Sequence, residues 1–228
     1  MHKSRFIGLL VMGLVLAGCG LLEQMPPLPP DKAPTELSAS FGTELHSVIL
    51  SWAPVERATS YQVFRAETAE GEFARIGATT AQSFQDRVGE GNQGRWYWYQ
   101  VRACNAAGCG PRSEVVRGYA GRPPAPENVR ATQGTYTDKI VISWDPVPGA
   151  THYHVHRDRS RDGDYHELVS AFVESNSVED KEVRPATWYW YKVVACNRHG
   201  CSHLSAPAAG YCGPYPIPIR AVVDEETD

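Results

Sequence analysis

The sequence predicts an all-β protein built as two tandem β-sandwiches, and three observations carry that prediction. At a fixed offset of 92 residues Trp52 recurs as Trp144, Tyr61 as Tyr153, Trp96 as Trp188, Cys104 as Cys196, Cys109 as Cys201 and Tyr119 as Tyr211, so one module stands twice in the chain. Inside each copy, short runs with period-two alternation lie between Pro, Gly, Asp and Asn clusters, and no segment sustains a helical period. About seven such runs fit into roughly 90 residues, the strand density of a two-sheet sandwich.

The chain opens on a basic stretch with Lys3 and Arg5, continues through an apolar run from Phe6 to Leu16, and reaches Ala17, Gly18 and Cys19. This is the layout of a secretory signal peptide, and the apolar run falls short of the ~20 residues that a spanning helix needs. Leu16-Ala17-Gly18-Cys19 resembles the bacterial lipobox. That resemblance implies cleavage after residue 18, acylation of Cys19, and attachment of the mature protein to a membrane by its acyl chains. Gly20 stands where an Asp in Gram-negative lipoproteins signals inner-membrane retention, so the resemblance implies the outer membrane of a cell that has one.

Residues 19–33 hold Pro26, Pro27, Pro29 and Pro30, a composition that favours extended polyproline geometry and reads as a semi-rigid tether. The first module is expected over residues 34–120, with strands near Glu36 to Ser40, Ser47 to Trp52, Ser60 to Ala66, Phe73 to Ala78, Ser83 to Asp86, Arg95 to Cys104 and Glu114 to Arg117. Along the sixth run, alternation places Tyr97, Tyr99, Val101 and Ala103 on one face and Trp98, Gln100 and Arg102 on the other, and the first set is the predicted interior. Trp52 and Tyr61 should meet it from the facing strands. A short Pro-rich junction at 121–125 restricts the hinge before the second module at 126–212, which predicts an extended rod with limited bending. The acidic tail at 213–228 shows no strand or helix pattern and is expected to stay disordered.

Cys104 and Cys109 bracket Asn105-Ala106-Ala107-Gly108, and Cys196 and Cys201 bracket Asn197-Arg198-His199-Gly200, so each pair flanks a predicted hairpin turn. Facing positions across a hairpin come close enough for a disulfide. Such a staple would stiffen the turn, either to shape a binding loop or to resist proteases. A zinc site is the rival reading, weakened because each pair lies in its own module of an exported chain. Cys212 has no counterpart in the first copy and is either a free thiol or a bridge to another chain.

Two surface features could carry specificity. Trp98 and Trp190 are expected on the outer face of their sheets, as candidate contacts for a sugar ring or a peptide edge, or else as covers for the stems of neighbouring side chains such as Arg102 or Lys192. His152, His154 and His156 fall at i, i+2 and i+4 on one face of a strand, where the first copy has Ser60, Gln62 and Phe64. They are weak candidates for a metal site, since successive positions lie near 7 Å apart unless the rings converge.

Ser51-Trp52-Ala53-Pro54-Val55, Tyr61-Gln62-Val63-Phe64-Arg65 and Tyr97-Trp98-Tyr99-Gln100-Val101-Arg102-Ala103-Cys104-Asn105 resemble the fibronectin type III module, and the second copy repeats them at Ser143 to Val147, Tyr153 to Arg157 and Tyr189 to Asn197. The resemblance covers most of the mature chain and implies an immunoglobulin-like sandwich in each copy.

Composition and motifs exclude other classes. Removal of residues 1–18 takes away Lys3 and Arg5, leaving 20 basic against 26 acidic side chains and a net charge of −6, with no basic stripe for nucleic acid. Glu67, Glu70, Asp86, Asp162 and Asp180 read as solvated turns and strand ends, and the chain lacks a phosphate loop or a nucleophile elbow. The expectation is a non-catalytic protein without cofactor. It would bind a protein partner for interaction, adhesion or scaffolding, or alternatively a cell-wall or surface polysaccharide, or a metal on the second module.

Overall fold

A computed structural model describes residues 27–214. The signal peptide, Cys19, the first part of the Pro-rich run and the tail from residue 215 lie outside the described residues. The first unit comprises β1 (Ser38–Ala39), β2 (Ser47–Ser51), β3 (Ser60–Ala66), β4 (Ala74–Thr79), β5 (Ser83–Arg87), β6 (Tyr97–Asn105), β7 (Gly108–Arg112) and β8 (Val116–Gly118). The second comprises β9 (Arg130–Ala131), β10 (Ile140–Ser143), β11 (His152–Asp158), β12 (Glu167–Val173), β13 (Ser177–Asp180), β14 (Tyr189–Asn197), β15 (Gly200–Cys201) and β16 (Ala208–Gly210).

Each unit pairs a three-stranded sheet with a larger one. In the first, β1-β2-β5 faces β4-β3-β6-β7, with β8 also on β6. In the second, β13-β10-β9 faces β12-β11-β14-β15, with β16 also on β14. The described residues are all-β and form two sandwiches, as the repeat predicts.

Alternation decides which side of each central strand goes inward. Tyr97, Tyr99, Val101 and Ala103 are buried with Val48, Leu50, Trp52, Tyr61 and Val63. Tyr189, Tyr191, Val193 and Ala195 are buried with Ile140, Ile142, Trp144, Tyr153 and Val155. Trp52 lies 5.3 Å from Tyr61 between ring centroids, and Trp144 5.2 Å from Tyr153. Each of these tyrosines accepts a backbone hydrogen bond on its hydroxyl, from Val55 N at 3.0 Å and from Val147 N at 2.8 Å, so the aromatic body is buried while its polar tip is satisfied.

The predicted final strand near Glu114 to Arg117 corresponds to β8, and β7 precedes it as a strand the sequence reading did not include. Ser113 interrupts the ladder: its hydroxyl accepts from Val101 N at 3.0 Å and donates to Glu114 O at 2.9 Å, replacing strand partners with a side chain. Ser205 does the same with Val193 N and Ala206 O.

The expectation that Asp86 and Asp180 are solvated is wrong. Both are buried, at 6% and 2% exposure. Asp86 of β5 accepts from Arg65 of β3 at 2.9 Å and from the Tyr99 hydroxyl of β6 at 2.9 Å, and Asp180 of β13 accepts from Arg157 of β11 at 2.7 Å and from Tyr191 of β14 at 2.9 Å. Each trio ties one sheet to the other through the interior. Burial and the neighbouring carboxylate push the Tyr99 and Tyr191 hydroxyls far above the ordinary phenol range, so both stay protonated and donate.

Cys212 is fully buried in the second core, which removes it as a bridge to another chain. Burial raises its thiol pKa and keeps it protonated.

Candidate functional site

The geometry of interest begins at the hairpin turns. Cys104 is joined to Cys109 and Cys196 to Cys201, each pair directly opposite across its hairpin. The residue after the first cysteine of each pair is Asn, and its two side-chain ends act differently. Asn105 Oδ1 accepts from Ala107 N at 2.9 Å and closes the turn, while Nδ2 donates to Leu28 O at 2.8 Å. Asn197 Oδ1 accepts from His199 N at 2.8 Å, while Nδ2 donates to Gly121 O at 2.9 Å. Leu28 and Gly121 both lie in the segment that enters the module. Each stapled turn is therefore a clamp on the incoming chain.

In the first unit this clamp seats the end of the Pro-rich run. Pro30 is buried and Asp31 lies 3.4 Å from Arg57. A side chain at Gly110 would put its Cβ 2.5 Å from Pro30 O, so glycine is required for the backbones to approach. The tether from Pro27 onward lies on the sandwich.

In the second unit the clamp holds the junction, and further contacts fix the two modules. Tyr119 Oη donates to Pro148 O at 2.6 Å, Arg122 lies 2.9 Å from His203 Nε2, and Arg198 donates to Thr43 O. Gly149 has φ +81°, and a Cβ there would sit 2.5 Å from Phe41 O. Ala106 and Ala107 occupy the turn positions that Arg198 and His199 hold in the second copy, so only the second turn reaches back to a preceding module.

The outer faces of the large sheets differ between the copies. In the first, Arg112 and Arg102 lie 3.9 and 5.3 Å from the Phe64 ring, and Arg102 Nη2 donates to Gln62 Oε1 at 2.8 Å. Trp98 shares that face and is half-buried. The charged ends of both named neighbours rest on other rings: Arg102 sits over Phe64, and Lys192 lies 4.0 Å from the Tyr165 ring. Trp190 is half-buried beside Trp188, at 6.2 Å between centroids. Trp96, partly buried at the strand entry, lies 5.2 Å from Tyr119 and edge-on, with Arg117 over it at 4.1 Å.

The histidines converge only in part. His152 and His154 rings stand 5.3 Å apart, His152 stacks on Phe172 at 4.1 Å, and His154 Nε2 lies 4.0 Å from Cys196 Sγ. His156 shares their face but lies outside this group, with Nδ1 buried and lacking a hydrogen-bond partner. Burial lowers the pKa of His154, and the nearby His152 adds to that. Burial likewise lowers His156, with His154 contributing and a backbone hydrogen bond at Tyr165 opposing.

Residues 124–211 match the fibronectin type III domain. The first unit repeats the strand order of the matched unit, sheet for sheet. The chain is similar to human contactin-1, 27% identical over 122 residues, covering 52% of this chain and 12% of that one. It is similar to human protein sidekick-1, 29% identical over 133 residues, covering 53% and 6%. It is also similar to the amylopullulanase of Thermoanaerobacterium saccharolyticum, 33% identical over 96 residues, covering 42% and 7%. The chain thus spans 12% or less of the length of these curated relatives. Among solved structures, the chicken CNTN1 FN1-FN3 domains align at 21% identity with a TM-score of 0.39, over 82% of this chain and 69% of that one. An Fn3-like protein from Clostridium thermocellum aligns at 25% identity and 0.37, over 40% and 95%.

Sequence reasoning missed the buried Arg–Asp–Tyr trios and the Asn clamps. Arg65 and Arg157, and Tyr99 and Tyr191, keep the 92-residue offset, but Asp86 and Asp180 stand 94 apart, so a fixed-offset comparison separates the carboxylate from its partners. Aligning the Ser-x-x-Asp runs Ser83 to Asp86 and Ser177 to Asp180 would have restored the match.

Proposed function

We propose that this chain is a non-catalytic, lipid-anchored extracytoplasmic protein of a bacterial envelope, whose two modules hold an interaction surface at a fixed angle and distance from the membrane. The observation that carries the reading is the repeated clamp: Asn105 and Asn197 each lock the segment entering their module, so a chain anchored at Cys19 transmits orientation from tether to first module to second. The interior frameworks match while the outer faces differ, Gln62, Phe64, Gln100 and Arg102 against His154, His156, Lys192 and Val194. Divergence on a shared frame supports those faces as the contact surfaces. The relatives support the same reading, since a short stretch that recurs in much longer proteins of different names is a reusable module.

Two measurements test it. Metabolic labelling with a palmitate analogue should mark the wild type, and Cys19→Ser should abolish the label and shift the protein from membrane to soluble fractions. A wild-type protein that stays unlabelled and soluble would end the anchoring. Surface cross-linking should capture a partner with the wild type and lose it with Arg102→Glu/Arg112→Glu or Lys192→Glu. Capture unchanged by any of these substitutions would end the assignment of the faces.

A polysaccharide partner is the second reading, favoured by Trp190 of β14 lying beside Trp188 just before that strand, at 6.2 Å between centroids. Titration with wall and surface glycans should then change tryptophan fluorescence in the wild type and not in Trp98→Ala or Trp190→Ala. A flat response across glycans removes it.

A further inference from the structure

The second module carries a combination that the first lacks. His152 faces Cys196 across the β11–β14 ladder, His154 follows on the same face, and the donor atoms of His152, His154 and Cys196 lie within 4.8 Å of one another. Cys201, opposite Cys196 on β15, is bonded to it and partly exposed. In the first module the corresponding positions are Ser60, Gln62, Cys104 and Cys109. The same hairpin therefore exists once with two imidazoles beside its sulfurs and once without, and Phe172, stacked on His152, holds one ring in place.

We propose that His152, His154, Cys196 and Cys201 form a redox-gated site for Zn²⁺ or a cation of similar softness. With the disulfide closed, the sulfurs are not thiolates and the two imidazoles alone face the surface. A dithiol opens the site by attack on the sulfur of Cys201, the more exposed cysteine of the pair: the Cys196–Cys201 bond breaks, two electrons and two protons pass to the pair, and the reductant leaves as its own disulfide. On metal binding both thiols release their protons to solvent, and two thiolates with two neutral imidazoles supply the four-coordinate N₂S₂ set that Zn²⁺ favours. The donor atoms of His152, His154 and Cys196 need close by only about 1 Å to reach the separations set by Zn–S and Zn–N bonds of about 2.3 and 2.0 Å, and Cys201, once released from Cys196 beside it, supplies the fourth ligand. The site replaces the covalent staple of the inter-module clamp with a metal staple, because Asn197 lies between the two cysteines.

The test uses the full chain, oxidised and after reduction by a trialkylphosphine, which leaves as its oxide. Zn²⁺ is titrated against a chromophoric chelator and Co²⁺ is followed by its absorption spectrum. The reduced protein should take one ion tightly with a thiolate-to-cobalt band, and the oxidised protein should bind at least tenfold more weakly without that band. Cys104→Ser/Cys109→Ser should keep the reduced affinity, and His152→Ala/His154→Ala should lose tenfold or more. The His152→Gln/His154→Gln pair replaces the alanine pair if circular dichroism shows that the latter fails to fold. Equal affinity in both redox states, undiminished affinity after loss of the imidazoles, or two equivalent ions per chain, one at each hairpin, would each overturn the proposal.

Discussion

Asn105 and Asn197 hold the same post in the two modules: each closes a disulfide-stapled turn with its carbonyl and grips the entering chain with its amide, at Leu28 O and Gly121 O. Both ends of the side chain are needed, which is a reason for Asn where Asp would close the turn equally well. The staple between Cys196 and Cys201 then acts on module orientation, beyond protecting a loop.

Asn197→Asp should therefore keep the turn and lose the clamp, since a carboxylate cannot donate to Gly121 O and repels it. The expected cost is about 1–3 kcal/mol at the junction with little change in either core. Small-angle scattering should show a broader distribution of inter-module distances for Asn197→Asp than for the wild type, while circular dichroism stays the same. Asn105→Asp should leave that distribution unchanged, because its amide donates to Leu28 O and Arg57 O, both on the first-module side of the junction.

Replacing Cys196 and Cys201 by Ser should lower the stability of the second module by about 2 kcal/mol, the chain-entropy value for so short a loop. Denaturant unfolding followed by tryptophan fluorescence measures it. Cys104→Ser/Cys109→Ser should give a similar loss in the first module, and the two losses should add if the cores unfold independently.

The alternation of β6 and β14, the twin aromatic cores and the turn cysteines were legible because each rests on residue type at fixed spacing. The clamps were not, because the groups they grip are backbone carbonyls, and a carbonyl of Leu28 or Gly121 leaves no mark in the sequence. Convergence of His152 and His154 to 5.3 Å was hidden for a related reason, since strand spacing sets where the backbone goes and ring stacking on Phe172 sets where the imidazole goes. The trios escaped because a two-residue shift moved the carboxylate out of register with its repeat.

Those trios give an asymmetric prediction. Asp180→Ala leaves Arg157 charged in an interior where its side chain is 7% exposed, and should cost about 3–5 kcal/mol in the second module. Asp86→Ala should cost less, because Arg65 is 29% exposed and water can screen it. Replacing both members in the second module, as Arg157→Met/Asp180→Leu, should recover much of the loss, since the main penalty is the orphaned charge. Urea midpoints of the three variants against the wild type decide the order.

The pH dependence of stability should come largely from the second module, because His154 and His156 titrate there below the ordinary imidazole range while Gln62 and Phe64 hold the matching places in the first. The unfolded chain, with imidazoles near pKa 6.5, binds protons that the folded module refuses, so the folded state is at its full stability above that value. As the pH falls through 6.5 toward the depressed folded values, unfolding takes up protons and stability declines. Below those values both states are protonated and the decline from these groups stops. Calorimetric scans from pH 8 to 5 should therefore show the transition assigned to the second module moving down in temperature mainly below pH 6.5. His154→Gln/His156→Gln should flatten that profile, and an unchanged slope in that variant would overturn the assignment to these two histidines.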